Sequence, residues 1–204
     1  MEMKLILDGL AKSYPGRPVF KDIGAVVEYG RSLMITGPNG SGKSTLLRII
    51  CGFIPPSKGK VTLAIDGQNL QRLKIRPYIG LVSADLVLYD ELTAYENLSF
   101  FARVSGFKIL GAELEKRLEK VGLAKRGNDK VGSYSSGMKQ RLKYCLALLR
   151  NPLLLLLDEP MSNLDDAGKA LVDEIINSHR GILVMATNEK SEMRHGEQII
   201  RLGK

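Results

Sequence analysis

"ITGPNGSGKST", Ile35–Thr45, sets a glycine-rich loop between an apolar run and a stretch with helical spacing. It matches G-x-x-x-x-G-K-[ST] through Gly37, Gly42, Lys43 and Ser44. Gly37, Gly40 and Gly42 let the backbone curl until several N–H groups point at one anion. The positive end of the following helix adds to that field. Gly37, Pro38, Asn39, Gly40, Ser41, Gly42, Lys43, Ser44 and Thr45 are therefore candidate phosphate-binding residues. Lys43 is placed to reach the terminal phosphates of a nucleotide, and the Ser44 hydroxyl to hold Mg2+.

The stretches around this loop read as alternating strands and helices. "KLIL", "AVVEY", "SLMITG" and "KVTLAI" are candidate strands, and "STLLRIICG" is a helix directly after Lys43. From Thr93 to Arg150 the pattern turns helical. Thr93 with Glu96 three residues on forms a capping box. Leu114, Leu118 and Val121 share one helical face, with Gly122 as a candidate stop. Leu142, Cys145, Leu146 and Leu149 share another, ended by Pro152. Strands return with "LLLLLDE", "GILVMAT" and "EQIIRLGK", and a helix capped near Asp165 lies between the first two. Unbroken apolar strands imply a sheet covered on both faces. The expected fold is thus an α/β core with a helical insertion near residues 90–150.

"LLLLLDEP" ends a buried strand on two carboxylates, Asp158 and Glu159. In a phosphate-loop fold an acid at a neighbouring strand end holds Mg2+, and Asp158 suits that role. Mg2+ keeps most of its waters, so one or two protein oxygens suffice. Glu159 then faces the γ-phosphate and can polarise an attacking water.

The chain has 204 residues with 44% hydrophobic content, enough for one sizeable core. No apolar run approaches the roughly 20 residues that span a bilayer. The start lacks a signal-peptide pattern, so a cytoplasmic location is expected. The sequence stops at Lys204, directly after the last candidate strand, with no regulatory C-terminal domain expected. Cys51 and Cys145 lie in apolar helical contexts and read as reduced, buried thiols. His179 and His195 stand apart from other ligands and read as surface residues. The net charge of +8 is local: residues 101–150 hold 12 Lys/Arg against 4 Asp/Glu, and the rest balances at 18 of each.

Three further stretches narrow the class. "YSSGM" (Tyr134–Met138), "LLLLLDEP" and "SNLD" (Ser162–Asp165), in that order behind the phosphate loop, resemble the ATP-binding cassette family over essentially the whole chain. The resemblance implies a P-loop NTPase core of mixed sheet with helices on both faces. It adds an N-terminal antiparallel β subdomain and an inserted α-helical subdomain. One cassette would span 1–204, with its core at about 1–88 and 151–204 and its helical part at about 89–150. It also implies ATP and Mg2+ as cofactors and ATP hydrolysis as the activity.

"YSSGM" stands where the family has its L-S-G-G-Q signature. The resemblance implies that two cassettes meet head to tail, and that Ser135, Ser136 and Gly137 of one cap the ATP held by the other. A plain helix cap at Ser135 or Ser136 fits the same residues. Tyr134, Ser136 and Met138 depart from the motif. Tyr14 in "KSYPGRPVF" stands where the family stacks an aromatic on adenine, with a core or turn tyrosine as the alternative. "SNLD" resembles the loop that links the two sites.

Two positions are off-pattern. Ala84 in "IGLVSADLVLYDELT" stands where a glutamine normally reaches Mg2+ and the attacking water, with Ser83 and Asp85 as possible substitutes. Asn188 in "VMATNEK" stands where a histidine contacts the γ-phosphate. Asn188 donates only a neutral bond, about half as strong as a charge-assisted one. Slow hydrolysis carried by Lys43, Glu159 and Asn188 is the expectation. The partners implied are a membrane-spanning permease subunit and a second ABC subunit, identical or related, on the inner face of the membrane. The permease would dock on the helical insertion and the segment near Ala84. The basic 101–150 segment suits anionic lipid. A soluble cassette acting on nucleic acid or ribosomes is the competing class; such members usually carry two cassettes or a long coiled-coil insertion. A slow ATP-binding switch is a further alternative.

Overall fold

A computed structural model describes residues 2–189 and 192–203. Lys190 of "VMATNEK" and Lys204, the end of the last candidate strand, lie outside the described residues. Two sheets divide the strands by direction. The first is antiparallel, in the order β2-β1-β4-β5, built from β1 (Met3–Tyr14), β2 (Arg17–Glu28), β4 (Lys58–Ile65) and β5 (Gln68–Gln71). The second is parallel, in the order β6-β7-β8-β3-β9, built from β3 (Ser32–Thr36), β6 (Ile79–Val82), β7 (Leu154–Asp158), β8 (Ile182–Ala186) and β9 (Gln198–Arg201). The antiparallel sheet is the separate β subdomain that the resemblance implies, and the core sheet it implies as mixed is parallel in every described pairing.

Helix α1 (Lys43–Ile50) follows β3, and α5 (Asp166–Ser178) joins β7 to β8. Between β6 and β7 lie α2 (Ala94–Val104), α3 (Gly111–Lys120) and α4 (Ser136–Ala147). Each of three helix starts has a side-chain cap. Thr93 and Glu96 close the full capping box on α2, with the Thr93 N–H donating to Glu96 Oε2 at 2.7 Å. Ser135 Oγ accepts from the Met138 N–H on α4, and Asp165 Oδ1 from the Gly168 N–H on α5. α3 ends before Gly122, whose φ of +67° suits a glycine stop.

The leucine run of β7 serves two apolar layers at once. Leu154 and Leu156 join α1 and the antiparallel sheet, whereas Leu155 and Leu157 join α2, α4 and α5. Ile182 and Val184 of β8 face the first layer, and Leu183 and Met185 the second. A strand dry on both faces has no place for alternation with polar residues. Both cysteines are buried and unpaired, and burial pushes each thiol up to about 12.

Several expectations are corrected. β1 and β2 run 12 residues each, far beyond "KLIL" and "AVVEY". Their exposed polar residues hide the strand period, but antiparallel pairing carries them out to the Pro15–Gly16 turn. β5 and β6, four residues each, had no period long enough to read. α4 ends at Ala147, five residues before Pro152. The histidines are only partly exposed and each has a partner. His179 is half-buried with Nε2 3.2 Å from the Ile182 carbonyl, and His195 Nε2 lies 2.9 Å from Asp173 Oδ1.

Candidate nucleotide site

Parallel strands deliver their C-terminal ends to one edge of the sheet, and a ligand crevice opens there. The Gly37–Gly42 loop leaves β3 at that edge. Gly37 has φ +150° and Gly42 φ +101°, conformations that side chains resist. A Cβ on Gly42 would fall 2.4 Å from Val19 Cγ1, so β2 itself fixes the loop. Lys43 is buried and folds back over the loop, its ammonium donating to the Gly37 carbonyl at 2.8 Å. The Ser41 hydroxyl is buried without a partner among the described residues.

Asp158 ends β7 beside Ser44. Its Oδ1 is buried and has no hydrogen-bond partner among the described residues. Burial pushes the carboxyl above its ordinary range; the Ser44 hydroxyl opposes that rise, and the charges of Glu159 and Asp85 add to it. An orphaned carboxylate oxygen next to a hydroxyl, at the lip of a phosphate loop, is the donor set a hard cation takes. The residues present fit Mg2+.

Glu159 has φ +48°, a left-handed conformation that is costly for a residue with a side chain. Its N–H donates to the Ala186 carbonyl at 2.9 Å, which holds that turn. Glu159 thereby lines two adjoining cavities. One, of about 520 Å³, runs from Tyr14, Arg17 and Val19 over Gly40, Gly42, Lys43, Ser44 and Thr45. The other, of about 490 Å³, holds Asn39, Ser162, Lys169, Asn188 and Glu192. The structure thus brings Tyr14, the phosphate loop, Glu159 and Asn188 together around one edge. Tyr14 is half-exposed, with the Lys12 ammonium 5.0 Å from its ring centroid. Asn188 donates its amide to Asn39 Oδ1 at 2.6 Å, so it reaches the phosphate loop without a charge.

Ser135, Ser136 and Gly137 line neither cavity. Ser135 is a helix cap in its own chain, and Gly137 adjoins the Asn163 carbonyl. Ala84 lies two residues past the end of β6, lines neither cavity and presents only a methyl group.

Two residues escaped the sequence reading. Tyr144, fully buried on α4, donates its hydroxyl to the Pro160 carbonyl at 2.9 Å and ties that helix to the turn after Glu159. Its place between Leu142 and Cys145 was the available signal. Glu192 is also buried. Its Oε1 accepts from the Met161 N–H at 3.3 Å, and Oε2 has no partner among the described residues. A lone glutamate in a polar stretch gives no sequence signal.

The family model for ABC transporters matches residues 20–162. The chain is 39% identical over 164 residues to the uncharacterized ABC transporter ATP-binding protein YdbJ of Bacillus subtilis, covering 80% of this chain and 53% of that one. It is 34% identical over 203 residues to the cytochrome c biogenesis ATP-binding export protein CcmA of Mesorhizobium japonicum, covering 95% and 98%. A solved dimer of an ATP-binding cassette in a post-hydrolysis state, bound to ADP and Pi, superposes with a TM-score of 0.83 at 29% identity, over 97% and 94% of the two chains. The chain spans 53% to 62% of the length of the first curated relatives it matches. A family match across residues 20–162, joined to identities of 39% and 34% over most of the sequence, places this chain in the ABC transporter family.

Proposed function

We propose that the chain binds Mg-ATP at the Gly37–Thr45 loop and hydrolyses it as the motor subunit of a transport system. The observation that carries this reading is the orphaned Asp158 Oδ1 beside Ser44 at the lip of the loop. In this reading Gly37, Pro38, Asn39, Gly40, Ser41, Gly42 and Thr45 wrap the phosphates, and Lys43 trades the Gly37 carbonyl for them. Ser44 and Asp158 hold Mg2+, which neutralises phosphate charge. Glu159 accepts a proton from the attacking water. Asn188 gives one neutral hydrogen bond to the γ-phosphate. That bond is about half as strong as a charge-assisted one, so hydrolysis here is slow relative to cassettes with a histidine. Tyr14 stacks on the base.

Ser135, Ser136 and Gly137 act across a dimer, on nucleotide held by a second ABC subunit. The solved dimer and the absence of these three residues from the linings of both cavities support that. Among the described residues no helix is long and apolar enough to cross a membrane, so the translocation path in this scheme comes from a membrane-spanning permease. Exposed Val87, Tyr89 and Phe100, beside the Ala84 loop, offer the apolar surface for it. Relatives named for export and resistance support transport over nucleic-acid work. The cassette then sits on the cytoplasmic face of the membrane.

Glu159→Gln tests the scheme. With saturating Mg-ATP the variant sediments as a dimer, alone or with its permease, and its turnover falls at least about 10²-fold below native. A strict monomer in both settings sinks the head-to-tail site. Native turnover that equals cassettes with a histidine, and collapses in Asn188→Ala, sinks the slow-rate reading.

A further inference from the structure

The loop leaving β6 carries contacts that the hydrolysis scheme does not use. β6 runs parallel to β7 with Val82 level with Leu157, so the chain leaves β6 at Ser83 from the same edge of the sheet at which Asp158 ends β7. The Asp85 carboxylate accepts from the Arg48 guanidinium, and Arg48 sits on α1, the helix that opens at Lys43. From the opposite side the Lys143 ammonium of α4 donates to the carbonyls of Ser83 and Ala84, at 3.2 and 3.0 Å. Basic side chains from two helices therefore hold three consecutive residues at the metal-facing edge.

Both partners of the Arg48–Asp85 pair are well exposed, so the pair contributes little to folding. The charge of Asp85 is nevertheless felt at Asp158, whose carboxyl it helps to raise. The two oxygens of one carboxylate can serve a guanidinium and a divalent cation together, but each cation weakens its hold on the other.

We propose that Asp85 is shared between two cations, Arg48 and the metal of bound Mg-nucleotide, and so does the positioning that the Ala84 methyl cannot. Arg48 and the metal then compete for one group. Removing Arg48 releases Asp85 to the metal, and removing the charge of Asp85 leaves the metal with less. Linkage makes the two effects opposite in sign. A merely structural ion pair predicts the same sign for both, because either change frees the same loop.

The inference rests on the Mg-ATP reading. The test is Mn2+ affinity, followed by electron paramagnetic resonance, for the full chain saturated with a non-hydrolysable ATP analogue. Asp85→Asn weakens Mn2+ by about 3–10-fold and Arg48→Gln tightens it by about 3–10-fold, with the double variant following Asp85→Asn. Asp85→Glu, which keeps the charge, stays near native, and the metal-free affinity for the analogue is unchanged in all. Shifts of the same sign, or none, overturn the proposal while leaving the Mg-ATP reading intact. Failure of the native chain to bind Mn2+ with the analogue overturns both. Thermal unfolding without nucleotide shows each variant folded; should Asp85→Asn unfold, Arg48→Gln and Arg48→Lys decide, and tighter Mn2+ in the first alone supports the competition.

Discussion

The Gly37–Thr45 loop and the Ser135–Gly137 corner both open helices, and their surroundings are opposite. At Gly37 a Cβ would fall 2.5 Å from the Leu202 carbonyl oxygen and 2.7 Å from Ser41 Oγ. At Gly137 the nearest atom to a Cβ is the Asn163 carbonyl oxygen, at an ordinary 3.6 Å. The loop is closed by β2, by the end of β9 and by its own lysine. The corner is closed by nothing beyond its cap and the neighbouring turn. A site shaped by its own chain is fixed during folding, whereas a corner with an open face leaves room for another molecule.

The largest effect separates the two glycines. Gly37→Ala or Gly42→Ala forces a side chain into backbone or β2 while holding a positive φ. Overpacking and strain together cost about 2–5 kcal/mol. For a chain of this size that lowers the melting midpoint by roughly 5 °C or more, and nucleotide binding goes with it. Gly137→Ala stays within about 1 kcal/mol of native, yet weakens the ATP-driven dimer of Glu159→Gln. Equal thermal damage at Gly137 and Gly37 breaks the contrast.

A subtler comparison sets two caps against each other. Thr93→Ala and Ser135→Ala each remove a helix cap worth about 1 kcal/mol, or about 2–4 °C in the melting midpoint. Only Ser135→Ala also lowers dimerisation of the Glu159→Gln chain. If both variants dimerise like the parent, the serine corner is a cap and nothing more, and the cross-chain role is lost.

Much of this was legible because single residues carried it. The spacing Gly37–Gly42–Lys43–Ser44 has few physical solutions, and five leucines before Asp158 leave little choice but a strand dry on both sides. Thr93, Ser135 and Asp165 marked helix starts through hydrogen bonds local to the sequence. What escaped was long-range. β6 is four residues of ordinary apolar chain and becomes a strand only by pairing with β7. Glu192 is 31 residues from the Met161 N–H it accepts, and nothing near it in sequence signals burial. Asp85 could be named as a neighbour of Ala84, but its partner Arg48 lies 37 residues away on another helix.

The smallest effect belongs to Glu192, which joins the two regions. Its carboxylate holds the Met161 N–H at the start of the turn that carries Asn163 to Gly137, and it lines the same cavity as Glu159. Burial raises its carboxyl above the ordinary value of 4.5; Glu189 and Glu159 push the same way, and the Thr187 hydroxyl and Met161 N–H oppose. A carboxyl raised in the folded chain is favourable to folding while protonated, and that contribution disappears as pH rises through the raised value. Glu192→Gln keeps an oxygen for the Met161 N–H and can donate its amide to the Thr187 hydroxyl, without the charge. At pH 8 the variant should therefore melt above the native chain, by an amount worth about 1 kcal/mol or less. The gap should close as pH falls well below 4.5, where native Glu192 is neutral in both folded and unfolded chains. A gap of constant size across that range would mean that shape rather than charge sets the difference, and the turn would then join the two regions through packing alone.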